Sequence, residues 1–264
     1  MPAEACSSGP NIGAEMPTDP VSERHSRSLG VNEGAVRSSP AAVLFDMDGT
    51  LIDSEKVWDR SLVAVLRWLG GTDLSAAART ETLGGNLQSS LAIVFREAGV
   101  TPTPEVREEA AARLVASTAE LFEGGLPWRP GARDALRTAR AGGLAVALVT
   151  NTGRYLTDKA LVGIGAEHFD VTVCGDEVPA GKPAPDPYLR AASLLGVDPA
   201  DCVAVEDSPT GIAAAEAAGT AVLAVPCEVP IPDGPQRVVR ESLVGLTAAD
   251  LAAVHREVRA RARA

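Results

Sequence analysis

The chain is poor in the residues that most often make a site unaided. Its four cysteines, Cys6, Cys174, Cys202 and Cys227, form no C-x-x-C pair, so neither a zinc site nor a disulfide framework is expected. Cys174 and Cys202 fall in apolar runs, where a buried free thiol is the ordinary occupant. The three histidines, His25, His168 and His255, lie outside the polar clusters described below, which leaves a histidine-based triad or metal site without support. Aromatic residues make up 3 % of the chain against 45 % hydrophobic residues overall, so the core must be packed from Ala, Val and Leu. Positive charge is also scarce: 24 Lys and Arg face 35 Asp and Glu, for a formal net charge of −11. Phosphate backbones attract basic surfaces, so nucleic acid is not an expected partner. No apolar run approaches the roughly 18 residues of a membrane helix, and no apolar segment of roughly 7 residues precedes a small-residue cleavage site near the start. No membrane association is expected, and a reducing cytoplasm is the expected setting.

What is present begins with Ala42-Val-Leu-Phe-Asp46-Met-Asp48-Gly-Thr-Leu-Ile-Asp53. A short apolar run without alternation is the pattern of a central parallel strand covered on both faces. Two carboxylates follow at i and i+2, and a Gly-Thr turn follows them. An unpaired carboxylate inside a sheet costs several kcal/mol, so charge is expected to begin where the strand ends. In open α/β sheets that end faces the ligand crevice; an Asp-Gly turn that merely closes a strand is the alternative reading.

Residues 1–40 are rich in Ser, Gly and Pro with no sustained apolar period, the composition of a disordered tail. From Ser54 the period turns helical: Trp58, Leu62, Val65, Leu66 and Leu69 share a face ending at Gly70-Gly71, and Leu87, Leu91, Val94 and Phe95 share a second. A third helical segment runs from Pro104 to Phe122. After Pro130-Gly131 helices alternate with the strands Leu144–Val149, Val171–Cys174, Val203–Val205 and Ala221–Val225, and a charged helix from Ala248 to about Arg259 closes the chain. No internal repeat is found. The expectation is an α/β fold, a Rossmann-like three-layer core with a parallel sheet spanning 41–54 and 129–264, plus a small α-helical cap, 55–128, inserted after the first strand.

Polar groups recur at successive strand ends: Thr150-Asn151, Gly181-Lys182-Pro183 and Glu206-Asp207-Ser208. Each could be a helix cap on its own. Parallel strands would bring all of them to the edge that carries Asp46 and Asp48. Four acids, Asp46, Asp48, Glu206 and Asp207, would then repel by about 4 kcal/mol for each pair at 4 Å and an effective dielectric near 20. Lys182 alone cannot offset that, whereas a divalent cation can, and an all-oxygen ligand set favours Mg²⁺. A nucleotide P-loop at Gly181-Lys182 is excluded, since Pro183 stands where Ser or Thr is required.

With Asp46-x-Asp48-Gly-Thr, then Thr150, then Lys182, then Glu206-Asp207 in order, the chain resembles the haloacid dehalogenase-like hydrolases over about Ala41 to Pro226. Phe-Asp-Met-Asp-Gly-Thr-Leu-Ile-Asp-Ser-Glu and Gly-Lys-Pro-Ala-Pro-Asp-Pro-Tyr look most like the branch of β-phosphoglucomutase and small-molecule phosphatases. The resemblance implies Asp46 as nucleophile forming an aspartyl-phosphate, and Asp48 as general acid and then base. It also implies Thr150 as a ligand of a phosphoryl oxygen with Asn151 beside it, and Lys182 as the neutralising cation. Mg²⁺ would be held by Asp46, the Asp48 carbonyl, Asp207 and Glu206, and the cap turn Gly84-Gly85-Asn86 would help set specificity. Two departures bear on the reaction. The histidine that follows the first aspartate by twelve residues in the mutases is Trp58 here, and Thr82–Ser89 carries no basic residue. The expected activity is therefore Mg²⁺-dependent hydrolysis of a small phosphorylated metabolite, such as a sugar phosphate, by a monomer or small homo-oligomer. A phosphosugar mutase is the alternative, and a catalytically silent binding protein on the same scaffold is a third reading.

Overall fold

A computed structural model describes residues 39–264; the expectations for residues 1–38, including the tail, Cys6 and His25, lie outside the described residues. The apolar run after Ala41 forms β1 (Ala42–Phe45), every residue of which is buried. It is joined by β2 (Ala145–Val149), β3 (Val171–Val173), β4 (Cys202–Glu206), β5 (Ala221–Ala224) and β6 (Arg237–Val239) in the order β3-β2-β1-β4-β5-β6, all pairs parallel. Chain order reverses between β1 and β4, and an open α/β sheet has its ligand crevice at that point, outside the carboxyl ends.

Alternation along the strands divides the core into two slabs. Val43, Phe45, Val146, Leu148, Val203, Val205 and Leu223 face α5 (Ala132–Ala141), α6 (Arg154–Ile164) and α9 (Ala248–Arg261). Ala42, Leu44, Ala147, Ala204 and Ala224 face α7 (Asp186–Leu195) and α8 (Pro209–Ala217). The second slab is built of alanines on both sides, so its helices can approach the sheet closely. The shortage of aromatics is thus met by small side chains, with Tyr188 the largest of the fully buried ones among the described residues.

Between β1 and α5 lie α1 (Glu55–Trp68), α2 (Ala76–Thr82), α3 (Leu87–Glu97) and α4 (Pro104–Glu123). They enclose an apolar cluster of their own around Leu62, Leu66, Val94, Phe95 and Leu114. The chain enters and leaves this insert side by side: Ile52 bridges Trp128, Asp53 N–H donates to the Pro127 carbonyl at 2.8 Å, and Arg129 N–H donates to that of Leu51 at 2.9 Å. At its far end α4 places Ala119 and Phe122 in the slab that faces α5 and α6, and Lys159 on α6 pairs with Glu123 at 2.8 Å. Among the described residues, no helix is long and apolar enough to cross a membrane.

Two elements are absent from the sequence reading. Helix α2 is seven residues with one buried side chain, Ala78, and strand β6 is three half-buried residues at the sheet edge. Both are too short to show a period and rest on tertiary contacts, among them the pairing of Arg237 with Glu216 at 2.7 Å. Strand β4 also runs one residue further than expected: Glu206 is its last member and is wholly buried. The rule that charge begins where a strand ends fails there because the carboxylate has partners inside.

Candidate active site

Register alone brings the polar strand ends together. Phe45 pairs with Leu148 on one side and Val205 on the other, so Asp46, Val149 and Glu206 lie level. The ladder continues one step beyond β1, with Asp46 N–H donating to the Val205 carbonyl at 3.0 Å. The loop after β3 then returns Lys182 beneath this edge. Its ammonium donates to Asp46 Oδ1 at 2.6 Å, to Glu206 Oε1 at 2.7 Å and to the Val149 carbonyl at 2.8 Å, and the residue is 4 % exposed. Tyr188 Oη donates to the same Glu206 oxygen at 2.6 Å. Among the described residues, side-chain donors reach Asp46 through Oδ1 only, and Oδ2 accepts no hydrogen bond.

Burial pushes the Asp46 carboxyl up to about 8 even though Lys182 pulls the other way. Asp207 is driven in the same direction, first by burial and then by Asp46. On Lys182 burial works against the charge, but Asp46 and Glu206 outweigh it and hold the ammonium above its ordinary range. The physical reason is burial first and mutual repulsion second: Asp46, Glu206 and Asp207 are crowded together out of water, and the Lys182 ammonium pairs with Asp46 and Glu206. Asp46, Glu206 and Asp207 each present an oxygen within 4.8 Å of the others. An all-oxygen, buried cluster with more acids than cations fits a hard divalent cation.

Asp48 departs from the four-acid cluster expected from sequence. Its carboxylate is held apart by neutral donors, Ser54 Oγ at 2.6 Å and Trp58 Nε1 at 2.9 Å on Oδ1, and Thr152 Oγ1 at 2.7 Å and Thr150 Oγ1 at 3.4 Å on Oδ2. Two of these donors come from the start of the insert and two from the end of β2. Trp58, which stands where the mutases have histidine, is thus a partner of the second aspartate, and its ring meets Phe122 edge-on at 6.3 Å.

Glycine is required where Asp207 and Glu206 approach the backbone. At Gly49 φ is +82°, and a Cβ would lie 2.2 Å from Asp207 Oδ2, so the Asp-Gly turn admits Asp207, which Thr50 Oγ1 then binds at 3.1 Å. At Gly211, in the first turn of α8, a Cβ would lie 1.9 Å from Glu206 Oε1. Gly-to-Ala in a helix ordinarily stabilises by about 0.5–1 kcal/mol. Here Gly211→Ala is expected to destabilise by about 1–3 kcal/mol through overpacking, because Glu206 must abandon Lys182 or Tyr188. Thermal melts check the sign; a variant as stable as the parent would show that Glu206 is not held as described.

A cavity of about 890 Å³ opens over this edge. It is lined from the core by Asp46, Asp48, Thr150, Asn151 and Lys182 and from the insert by Gly84, Gly85 and Asn86, while Glu206 and Asp207 lie outside its wall. All the residues expected at the site therefore lie on the cavity or directly behind it. The insert loop is uncharged as read, but α1 and α2 bring Lys56, Arg60 and Arg79 to the wall, so the insert does supply cations to the cavity. Arg79 is engaged by Asp59 and Asp73, each at 2.6 Å; Lys56 and Arg60 are exposed. Glu55, with a carboxyl raised to about 7 by burial and then by Asp48, completes the wall. Thr152, Tyr188, Ser54 and Glu55 were not singled out by sequence reasoning. Tyr188 lies within the Pro-Asp-Pro-Tyr motif and Ser54 and Glu55 close the motif that begins at Phe45, whereas Thr152 has only its nearness to Thr150-Asn151 as a signal. Cys174 and Cys202 are buried free thiols, as expected. His255 is buried on α9 with Nε2 3.1 Å from the Ala200 carbonyl, away from the site.

A haloacid dehalogenase-like hydrolase family model matches residues 40–219. The chain is 36 % identical over 217 residues to hexitol phosphatase B of Escherichia coli K12, covering 80 % of this chain and 96 % of that protein. The structure of CbbY from Rhodobacter sphaeroides in complex with phosphate aligns with a TM-score of 0.69 at 28 % identity, over 78 % of this chain and 96 % of that one. The β-phosphoglucomutase of Clostridium difficile aligns with a TM-score of 0.72 over 84 % of this chain and 99 % of that one; at 18 % identity it shares the fold.

Proposed function

The chain belongs to the haloacid dehalogenase-like hydrolases, and from that premise we propose that it is a Mg²⁺-dependent phosphatase of small phosphorylated metabolites, with sugar and sugar-alcohol phosphates as the substrate class. The observation that carries this reading is Asp46: a buried carboxylate on the cavity, anchored through Oδ1 by Lys182 and with Oδ2 unengaged.

In the proposed reaction Asp46 Oδ2 attacks phosphorus, an acyl phosphate forms and the P–O bond to the substrate alcohol breaks. Asp48 gives that alcohol its proton and later takes one from the water that displaces Asp46, which regenerates both carboxyl groups. Lys182 balances charge on Asp46 and on the phosphoryl group. Thr150, at the end of β2, hydrogen-bonds a phosphoryl oxygen. Asp46, Asp207, Glu206 and the Asp48 carbonyl hold the ion. When bound, Mg²⁺ neutralises the carboxylates and the phosphoryl oxygens. The insert, residues 55–128, serves as a cap whose paired linkers at 51–53 and 127–129 let it close over the substrate.

The purified protein is expected to release inorganic phosphate from hexitol phosphates and from p-nitrophenyl phosphate, with release abolished by EDTA and restored by Mg²⁺. A folded protein that releases none from any phosphate ester would favour a binding role. Lys56 and Arg60 on the cavity wall are the observation that favours a second reading, a mutase that rebinds a doubly phosphorylated intermediate. Bisphosphate-primed conversion of glucose 1-phosphate to glucose 6-phosphate would select it.

A further inference from the structure

We propose that Asn151 is a positioning residue that clamps Lys182 and latches the insert's Gly84 turn onto the core, so that seating of the turn and placement of the ammonium are set by one side chain. Asn151 lines the cavity, yet its amide is already committed. Oδ1 accepts from Lys182 N–H at 2.8 Å, and Nδ2 donates to the Lys182 carbonyl at 3.1 Å and to the Gly84 carbonyl at 2.9 Å. A carboxamide has two donor hydrogens, and both are used. Nothing remains to donate to a substrate while the turn is seated.

The contact with residue 182 is two-point: both polar groups of its backbone are held by one planar amide, which fixes the direction in which the side chain leaves the backbone. At the other end of that side chain the ammonium donates to the Val149 carbonyl at 2.8 Å. The end of β2 thus holds Lys182 by its backbone and by its charged tip, 31 and 33 residues along the chain. Freed from Asn151, the backbone of 181–183 could turn, and the ammonium's distances to Asp46 and Glu206 would no longer be imposed.

The third bond reaches the insert. Gly84 lies between α2 and α3 with φ +65°, and a Cβ there would lie 2.6 Å from Ser208 Oγ and 3.3 Å from Thr210 Cβ. The turn therefore rests on the N-terminus of α8, beside Asp207, and its carbonyl is the one that Asn151 captures. Any side chain at 84 would lift the turn from Ser208 and break that bond while leaving the clamp on Lys182 intact.

The inference rests on the proposed role of Lys182 in phosphoryl transfer, and its test separates the two. Full-length protein is compared with Asn151→Asp, which keeps the acceptor but deletes both donors, with Asn151→Ala, which adds no charge, and with Gly84→Ala. Hydrogen exchange, which needs no turnover, is expected to speed up about tenfold at amides 83–88 in all three variants and to stay unchanged in α5 and α9. With p-nitrophenyl phosphate, both Asn151 variants are expected to lose kcat by about tenfold or more, whereas Gly84→Ala raises KM with a smaller loss of kcat. In the double variant Asn151→Ala/Gly84→Ala the exchange increase should not exceed that of the worse single variant, since both changes break one contact. Unaltered exchange at 83–88 in the Asn151 variants, or increases that multiply in the double variant, would overturn the latch even if the protein is a phosphatase. Loss of activity in parallel with faster exchange throughout the core would show a merely structural role and overturn it too. If wild-type protein released no phosphate, the proposed function would fail while the exchange result still decided the latch.

Discussion

Asp46→Asn is expected to lower phosphate release by at least about 10⁴-fold while leaving the fold intact, because an amide oxygen cannot form and release the acyl phosphate. The stability of this variant carries a second, less intuitive expectation. The Asp46 carboxyl titrates near 8 in the folded protein, well above its ordinary value of 3.8, chiefly because it is buried. A raised value means that the folded state holds a proton the unfolded chain has released. The stability associated with this group is therefore fully present below about pH 4 and is lost as pH rises through about 8. Metal-free wild type should melt at progressively lower temperature between pH 5 and 8, and the Asp46→Asn variant, whose amide does not ionise, should show a flatter slope. Asp207 is displaced in the same direction, so some slope persists. Mg²⁺ should restore wild-type stability most at the alkaline end, where the carboxylates it binds are ionised. Melting curves across pH, with and without the ion, check the sign; a wild-type protein that gains stability from pH 5 to 8 without metal would contradict the buried, under-compensated cluster.

Lys182→Met is expected to damage both fold and turnover. Removing one partner of a buried ion pair typically costs about 3–5 kcal/mol because the remaining charge is stranded, and here two carboxylates, Asp46 and Glu206, lose their ammonium together. A domain of this size loses about 2–4 °C per kcal/mol, so the melting temperature should fall by about 10 °C near neutral pH. The fall should be larger above about pH 8, where Asp46 is ionised without its cation, than in acid, where it holds a proton. Turnover should fall by about 10²–10³-fold, the loss typical of one missing charge-stabilising donor. Near-wild-type melting of this variant would mean that the lysine does not carry the balance of charge assigned to it.

The core was legible because parallel strands covered on both faces must be continuously apolar, and Ala42–Phe45, Ala145–Val149 and Ala221–Ala224 satisfy that rule over their whole length. Thr150, Lys182 and Glu206-Asp207 were legible for a related reason: each punctuates an apolar run, and parallel strands send all such punctuation to one edge. Helix α2 and strand β6 were not, since seven and three residues are too few to display a period. The cations on the cavity wall were not legible, because Lys56, Arg60 and Arg79 approach from helix faces whose orientation depends on how α1 and α2 pack.

The sequence by itself determined that the motifs stand at the ends of parallel strands, that a helical insert follows the first strand, and that Asp46, Asp48, Lys182, Glu206 and Asp207 meet at one edge, because burial on both faces and parallel pairing act through residue type and spacing. Only the tertiary structure decided where those groups point. Asp46 is turned to Lys182, Asp48 to Trp58 and Thr152, and Asn151 across to Gly84. Such directions depend on which donors other segments bring within about 3 Å of each oxygen or nitrogen, and that is a property of packing between distant parts of the chain.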